Sequence, residues 1–345
     1  MPGPNINTYE GFWVDHYSFL ERRGYRLRPR YDPSHRPARP REKPCCLPNI
    51  FFQSEDEVEI SQPCVLDAVR LADGKRIVLR KAATWKDEIP IYQSLSYASG
   101  DSRNRLVPIL DIVLLPDTDE DVFIVMPFLR VYYDPPFSRV DQVVDCVSQF
   151  IGALQYLHER NVAHRDFCSH NLMMDASELI PDGHHFAVKS RAYNGEFGFT
   201  RRDRADVPPV KYFVIDLGLA TRLIAHDYLV TGVFGQDKTV PELSWEVPYS
   251  PLMVDIYQLG HVIMKDLVDV YDGMEFLRPL AEMMTQRDPH SRPDIAQVVE
   301  IFTHAVSSLS STTLQQPIHV EDWENRRLRF APHPYPKERC CCYSC

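Results

Sequence analysis

The apolar pattern of this chain changes period once, near Pro136, and that change limits the folds open to it. Between Val58 and Phe128 the apolar residues come in short runs bounded by turn residues. Residues 64–70 and 76–80 flank Ala72-Asp73-Gly74-Lys75. Asp-Gly between two such runs predicts a hairpin, because glycine supplies the positive φ of the tight turn. Residues 106–115 and 122–128 read as two more strands around the acidic turn 117–121. Residues 86–97 read as a short helix with Pro90 confined to its first turn. Beyond Pro136, Val140, Val143, Val147, Phe150, Leu154 and Leu157 recur in steps of three and four, one face of a long helix. Residues 248–270 contain an apolar helix, and 276–284 and 295–306 predict two more. The expected class is α+β, a small mixed sheet with one helix followed by a larger, mainly helical part.

Before the strands, Phe12, Trp13, Tyr17 and Leu20 fall near helical spacing, so a helix over residues 9–23 is expected. Residues 29–48 are proline-rich and should be extended or irregular. The arginines of the stretch 22–30 could meet acidic partners or lipid headgroups; the preferred reading is a solvated, wrapping segment. A length of 345 residues fits one large two-part domain or two small ones, with enough chain for a sizeable core. A net charge of -10 argues against a nucleic-acid surface. No stretch is apolar enough to cross a bilayer, and the N-terminus carries no secretory pattern, so an intracellular, cytoplasmic protein with reduced thiols is expected. Its nine cysteines lack the paired CxxC spacing of a zinc site.

The run His164-Arg165-Asp166-Phe167-Cys168-Ser169-His170-Asn171, with Asp216-Leu217-Gly218 after a later apolar strand, resembles the catalytic loop and metal-binding turn of protein kinases. The residue types suit phosphoryl transfer. One carboxylate, Asp166, would orient the attacking hydroxyl, with Arg165 beside it; the oxygens of Asn171 and Asp216 would hold Mg²⁺ at the ATP phosphates. By order of elements the resemblance covers residues 58–306. It implies a two-lobed protein kinase-like fold: a wrapping segment over 1–57, a small mixed β lobe over 58–130, a larger helical lobe over 131–311 with an insert at about 176–209, and a tail over 312–345. Phe12-Trp13 and the run 23–31 resemble a flank found on kinase-like proteins of mushroom-forming fungi.

The resemblance places further residues. Glu242 of Val240-Pro241-Glu242 would pair with Arg292, and Asp255 would anchor the catalytic loop. Met126 would be the gatekeeper, and the hinge backbone at Phe128 or Leu129 would donate to adenine, since Pro127 has no N–H. Arg80 stands where the family carries its phosphate-gripping lysine, with Glu88 as its carboxylate partner. Lys81, by alternation, points to the opposite face. The chain departs from the pattern at Arg80, at Cys168 in place of a lysine, at Leu217 in place of Phe, and in having no Gly-x-Gly-x-x-Gly loop before the first hairpin. Asn171 and Asp216 stand 45 positions apart, an unusually long connection. It is a lid or an insert, and its His184-His185 reads as a solvated loop pair rather than a metal site. Arg80 and Glu88 read almost equally well as an ordinary surface ion pair.

The implied function is ATP- and Mg²⁺-dependent transfer to a protein hydroxyl. The alternative is a pseudokinase, the same fold acting as a nucleotide-binding or protein-interaction module. The expected partner is a protein. The adjacent Cys340, Cys341 and Cys342 could carry acyl chains that add a membrane-anchored pool; an unmodified tail is the preferred alternative.

Overall fold

The computed structural model of the protein describes residues 6–7, 9–36, 58, 60, 62–96, 100–196, 198–225 and 228–320. The chain enters through an amphipathic helix, α1 (Gly11–Arg22), that buries Trp13, His16, Tyr17 and Leu20. A two-residue strand follows, β1 (Tyr25–Arg26). The Asp73-Gly74 turn then joins β2 (Val65–Arg70) to β3 (Arg76–Ala83). Gly74 takes φ +69°, and Arg70 N–H donates to Lys75 O at 2.8 Å, closing the predicted hairpin. Helix α2 (Glu88–Ser96) comes next, with Pro90 in its first turn, then β4 (Asp111–Leu114) and β5 (Asp121–Pro127).

These strands form one sheet in the order β1-β2-β3-β5-β4, and every neighbouring pair is antiparallel. The sheet is therefore not mixed as expected. Short turns join β2 to β3 and β4 to β5, and a turn that short returns the chain antiparallel. The strand expected over 106–115 begins only at Asp111. Pro108 has no N–H to give to a ladder, and Leu106 instead bridges Val214 across the molecule. Strand β1 is too short for alternation to reveal.

Period-two alternation sorts the two faces of the sheet. Leu66, Ala68, Ile77, Leu79, Phe123 and Val125 pack under α1, where Trp13 stacks on Phe123 at 5.3 Å and donates through Nε1 to Pro63 O at 3.0 Å. Val78, Ala82, Val122, Ile124 and Met126 face the other way, onto α2 and the helical half. Two arginines of the N-terminal stretch correct the expectation of a solvated segment. Arg28 is buried on Asp67 (2.7 and 2.8 Å), and Arg30 is buried beside Glu10 (3.2 Å).

After β6 (Arg130–Val131) the predicted long helix appears as α3 (Val140–His158). Strand β7 (Val162–Ala163) leads into the loop of residues 164–171, β8 (Leu172–Met174) leaves it, and β9 (Tyr212–Val214) pairs with β8 so that Leu172 faces Val214. Strand β10 (Thr221–Arg222) pairs with β7, and β11 (Val230–Gly232) with β12 (Ser244–Tyr249). Helix α4 (Pro251–Val262) continues as a π-helical turn (Ile263–Val268), followed by α5 (Arg278–Met284), α6 (Ile295–Ser307) and α7 (Ser311–Leu314). Packing continues to Ile318, which is buried against the helical core. Cys64 is disulfide-bonded, where reduced thiols were expected. Cys45, Cys46 and the four cysteines of the tail lie outside the described residues, and with them any acyl anchor. Among the described residues no helix is long and apolar enough to cross a membrane.

Candidate functional site

The loop between β7 and β8 is held from behind by α4. Asp255, fully buried, accepts from His164 N–H (2.8 Å) and Arg165 N–H (2.6 Å) and meets His158 Nε2 at 3.0 Å. One turn on, Gln258 Oε1 accepts from Phe167 N–H at 2.7 Å. The i, i+3 spacing puts both acceptors on one face of the helix, so they fix successive amides of the loop. His164 locks it to the turn after β9: Nε2 donates to Ile215 O at 3.0 Å, and Nδ1 accepts from Asp166 N–H at 3.2 Å. Arg165 and Asp216 both adopt left-handed backbone, φ +65° and +64°, a strained conformation for L side chains that clusters at functional sites.

Asp166 emerges from this frame with its carboxylate already ligated. Asn171 Nδ2 donates to Asp166 Oδ2 (3.0 Å) and to its backbone oxygen (2.8 Å). Gln236 donates twice, from N–H to Oδ1 at 2.7 Å and from Nε2 to Oδ2 at 3.2 Å. Nothing in the sequence spacing announces Gln236. Its approach depends on Gly235, at φ +84°, where a Cβ would lie 2.9 Å from Arg165 O and 3.2 Å from Asp166 Oδ1. Asp266 is a second residue the sequence reading missed. The π-helical turn carries it inward to accept from Tyr132 OH (2.9 Å) and from Ser169 Oγ of the same loop, and burial pushes its carboxyl up.

The β8–β9 pairing explains why residues 45 positions apart meet. Ile215 N–H donates to Asn171 O at 2.9 Å, which leaves Asp216 one residue from Asn171 across the ladder. From the sheet, Arg80 reaches down to the same place. It pairs with Glu88 of α2 and lies 3.8 Å from Asp216 Oδ1. Both members of the pair are buried, so the surface-pair reading falls. Arg80 Nε is buried without a partner, a donor left for an anion. The β3–β5 register runs without a break from Ile77 to Ala83. Lys81 accordingly points to the α1 face, meeting Asp121 at 3.0 Å and the Phe12 ring at 5.0 Å. Met126 is buried beneath Val78, with Phe128 and Leu129 partly buried beside it. Cys168 is buried; burial, and then the nearby Asp166, push its thiol well up, which leaves it unreactive at neutral pH. Among the described residues no group of three or more His, Cys, Asp or Glu side chains could hold a metal.

The insert corrects the sequence reading most. His184 and His185 are buried, not solvated, as are Arg191 and Arg204. The His184 ring lies 4.7 Å from that of Phe128, and Arg204 donates to Pro136 O (2.7 Å) and Tyr132 O (2.8 Å). Burial first, then the cations Arg130, Lys189 and Arg76, push His184 down to about 2. This sets a pH dependence. Above its ordinary value of about 6.5 the imidazole is neutral whether buried or released. Below that the released form takes up a proton that the buried form cannot, so the insert should loosen as pH falls, by about 1.4 kcal/mol per pH unit. Amide protection over residues 183–193, taken relative to the unstructured exchange rate at each pH, should fall from pH 7 to pH 5 in the parent and stay level in His184→Gln. Equal loss of protection in both would assign the effect elsewhere.

No family model matches the chain. It is similar to cyclin-dependent kinase 4 of Mus musculus and of Rattus norvegicus, 27% identical over 85 residues in each case. The match covers 22% of this chain and spans 28% of the length of those relatives.

Proposed function

We propose that the chain is a two-lobed, protein kinase-like phosphotransferase, with the β1–β5 sheet as the small lobe and the part from β6 onward as the large one. The observation that carries this is the convergence of Asp166, Asn171, Asp216 and the Arg80–Glu88 pair from four separate segments. The partial likeness to cyclin-dependent kinase 4 supports the same reading. Asp166 would accept or orient the proton of an acceptor hydroxyl as it attacks. Arg80 would offer its unpartnered Nε and its outer N–H groups to the phosphates of ATP. Asn171 turns its amide nitrogen toward Asp166, which leaves the oxygen to join the Asp216 carboxylate as ligands for Mg²⁺. The donor set is hard and oxygen-rich, as that cation requires, and the cation would neutralise charge on the phosphates. A Leu129 or Phe128 N–H would meet the base.

A titration of Mg²⁺-ATP against the parent and Asp216→Asn tests this. The parent should bind, and the variant should lose Mg²⁺-dependent binding while keeping its fold. Equal binding by both would remove the metal role from Asp216. The second reading, a pseudokinase acting as a binding module for a partner protein, is favoured by one observation: Cys168, where the family carries a cation beside the catalytic carboxylate, is a buried neutral thiol.

A further inference from the structure

The insert has no task in the proposed reaction, yet it is fastened to both sides of the cleft. On β3, Arg76, Val78 and Arg80 alternate onto one face, and their partners Val65 and Asp67 share it. Arg80 marks the phosphate end of that face. Two and four residues outward, the insert covers it. Arg76 Nη2 donates to Asp182 O at 2.9 Å, and its guanidinium lies 4.0 Å over the Tyr193 ring. Arg28, locked on Asp67, lies 4.8 Å over the same ring and donates to Tyr193 O at 3.3 Å. At the other side, His184 and Phe186 stand 4.7 and 6.4 Å from Phe128, and Arg130 donates to Lys189 O at 3.2 Å. Phe186 packs with the cluster that holds Val78 and Met126. A small cavity of about 10 Å³, room for one water, remains where His185, Phe186 and Ala187 of the insert meet Arg28, Tyr31 and Asp67. Gly183 lets the insert make this approach: its φ is +71°, and a Cβ there would fall 1.2 Å from Arg76 Nη1.

We infer that residues 182–193 form a strap across the base end of the nucleotide cleft, so that the closed chain admits a triphosphate at Arg80 but excludes the base until the strap lifts. The inference rests on the proposed nucleotide site. Affinity for a ligand with a base is then reduced by the fraction of molecules whose strap is open. A ligand without a base bypasses that fraction. The strap thus selects among phosphate ligands, and whatever lifts it from Arg76 and Arg28 switches the site on.

Calorimetric titration of the full chain with Mg²⁺-ATP and, separately, with Mg²⁺-tripolyphosphate tests this. Three proteins are compared: the parent, Arg76→Ala/Tyr193→Ala, and Gly183→Ala, which keeps every strap side chain. Tryptic cleavage after Lys189 or Arg191 reports strap position independently of any ligand. Both variants should be cut faster than the parent and should bind Mg²⁺-ATP at least about tenfold tighter, while tripolyphosphate binding changes by less than about twofold. ATP affinity that stays level or falls in a variant with an open strap would overturn the gate, and so would unchanged cleavage in both variants. If tripolyphosphate binds no form, the phosphate site itself is wrong and the gate goes with it. If tripolyphosphate binds but ATP never gains, the gate alone is wrong.

Discussion

Arg292→Ala should lower the free energy of unfolding by about 3–5 kcal/mol, read as a large drop in the denaturant midpoint. Arg292 and Glu242 form a two-pronged pair, Nη1 to Oε1 at 2.6 Å and Nη2 to Oε2 at 2.8 Å, with side chains 0% and 9% exposed. The guanidinium also donates to Gln286 O and Met253 O, both at 2.8 Å, and lies 4.9 Å over Tyr257. Removing it leaves a largely buried carboxylate without its two donors and frees the Gln286 and Met253 carbonyls as well, and the unpaired carboxylate is the costly group. Lysine should not rescue, because one ammonium cannot serve the carboxylate fork and the carbonyls together. Removing both charges, as Arg292→Met with Glu242→Gln, should recover part of the loss, since the uncompensated carboxylate is gone. An Arg292→Ala midpoint equal to the parent's would refute this account of the pair.

That pair was legible in the sequence, and the reason separates what could be read from what could not. Pairs and anchors fixed by short motifs came through: Asp255 behind the loop, Asp166 with Asn171, and Glu242 with Arg292. The alternation of β3 was equally readable, since seven unbroken partners on β5 leave no room for a bulge. Hydrophobic period also found α1, α3 and the helices after Pro248. What failed was everything set by tertiary company. Nothing local to His184 says that Phe128 will cover it, and nothing local to Arg28 says that Asp67 waits 39 positions on. Polar residues in a long loop read as solvated because composition is silent on partners, and buried polar groups exist only where partners are supplied. Gln236 was hidden for the same reason. Its contact with Asp166 depends on a glycine-permitted turn 70 positions away.

That contact bears on how the carboxylate would work. Both Asp166 oxygens already accept hydrogen bonds, three from Asn171 and Gln236 side chains and the Gln236 amide. In the proposed reaction an acceptor hydroxyl would therefore have to join or displace a donor supplied by the segment between β11 and β12. Asp166 is thus coupled to the position of that segment, whose exposed Trp245 and Val247 flank it on β12. The loop's other support, Asp266 on the π-helical turn, acts from the opposite side through Ser169. Between them the two acceptors, Asp255 and Asp266, leave the loop little freedom, as the proposed placement of a hydroxyl to within a fraction of an ångström would require.

Arg80 carries the second large effect. In Arg80→Ala, ATP turnover should fall by about a hundredfold or more, the scale of loss expected when reacting groups are misplaced. Loss of fold is the competing cause, because the substitution strands Glu88, itself 3% exposed. Arg80→Ala with Glu88→Gln removes that stranded charge, so a similar loss of turnover in the double variant assigns the effect to the phosphates. Arg80→Lys should preserve or raise turnover. A lysine ammonium is a compact point charge that can sit between Glu88 and a phosphate, whereas the planar guanidinium imposes its own fork. Lys81→Ala should change turnover by no more than about twofold, because its ammonium lies on the far face with Asp121, away from the cleft. Asp166→Asn sets the baseline. Turnover at that baseline in both the parent and Arg80→Lys would favour the binding-module reading. Normal turnover in Arg80→Ala would remove Arg80 from the site, since no other cation of β3 shares its face except Arg76, which is engaged with Tyr193 and Asp182.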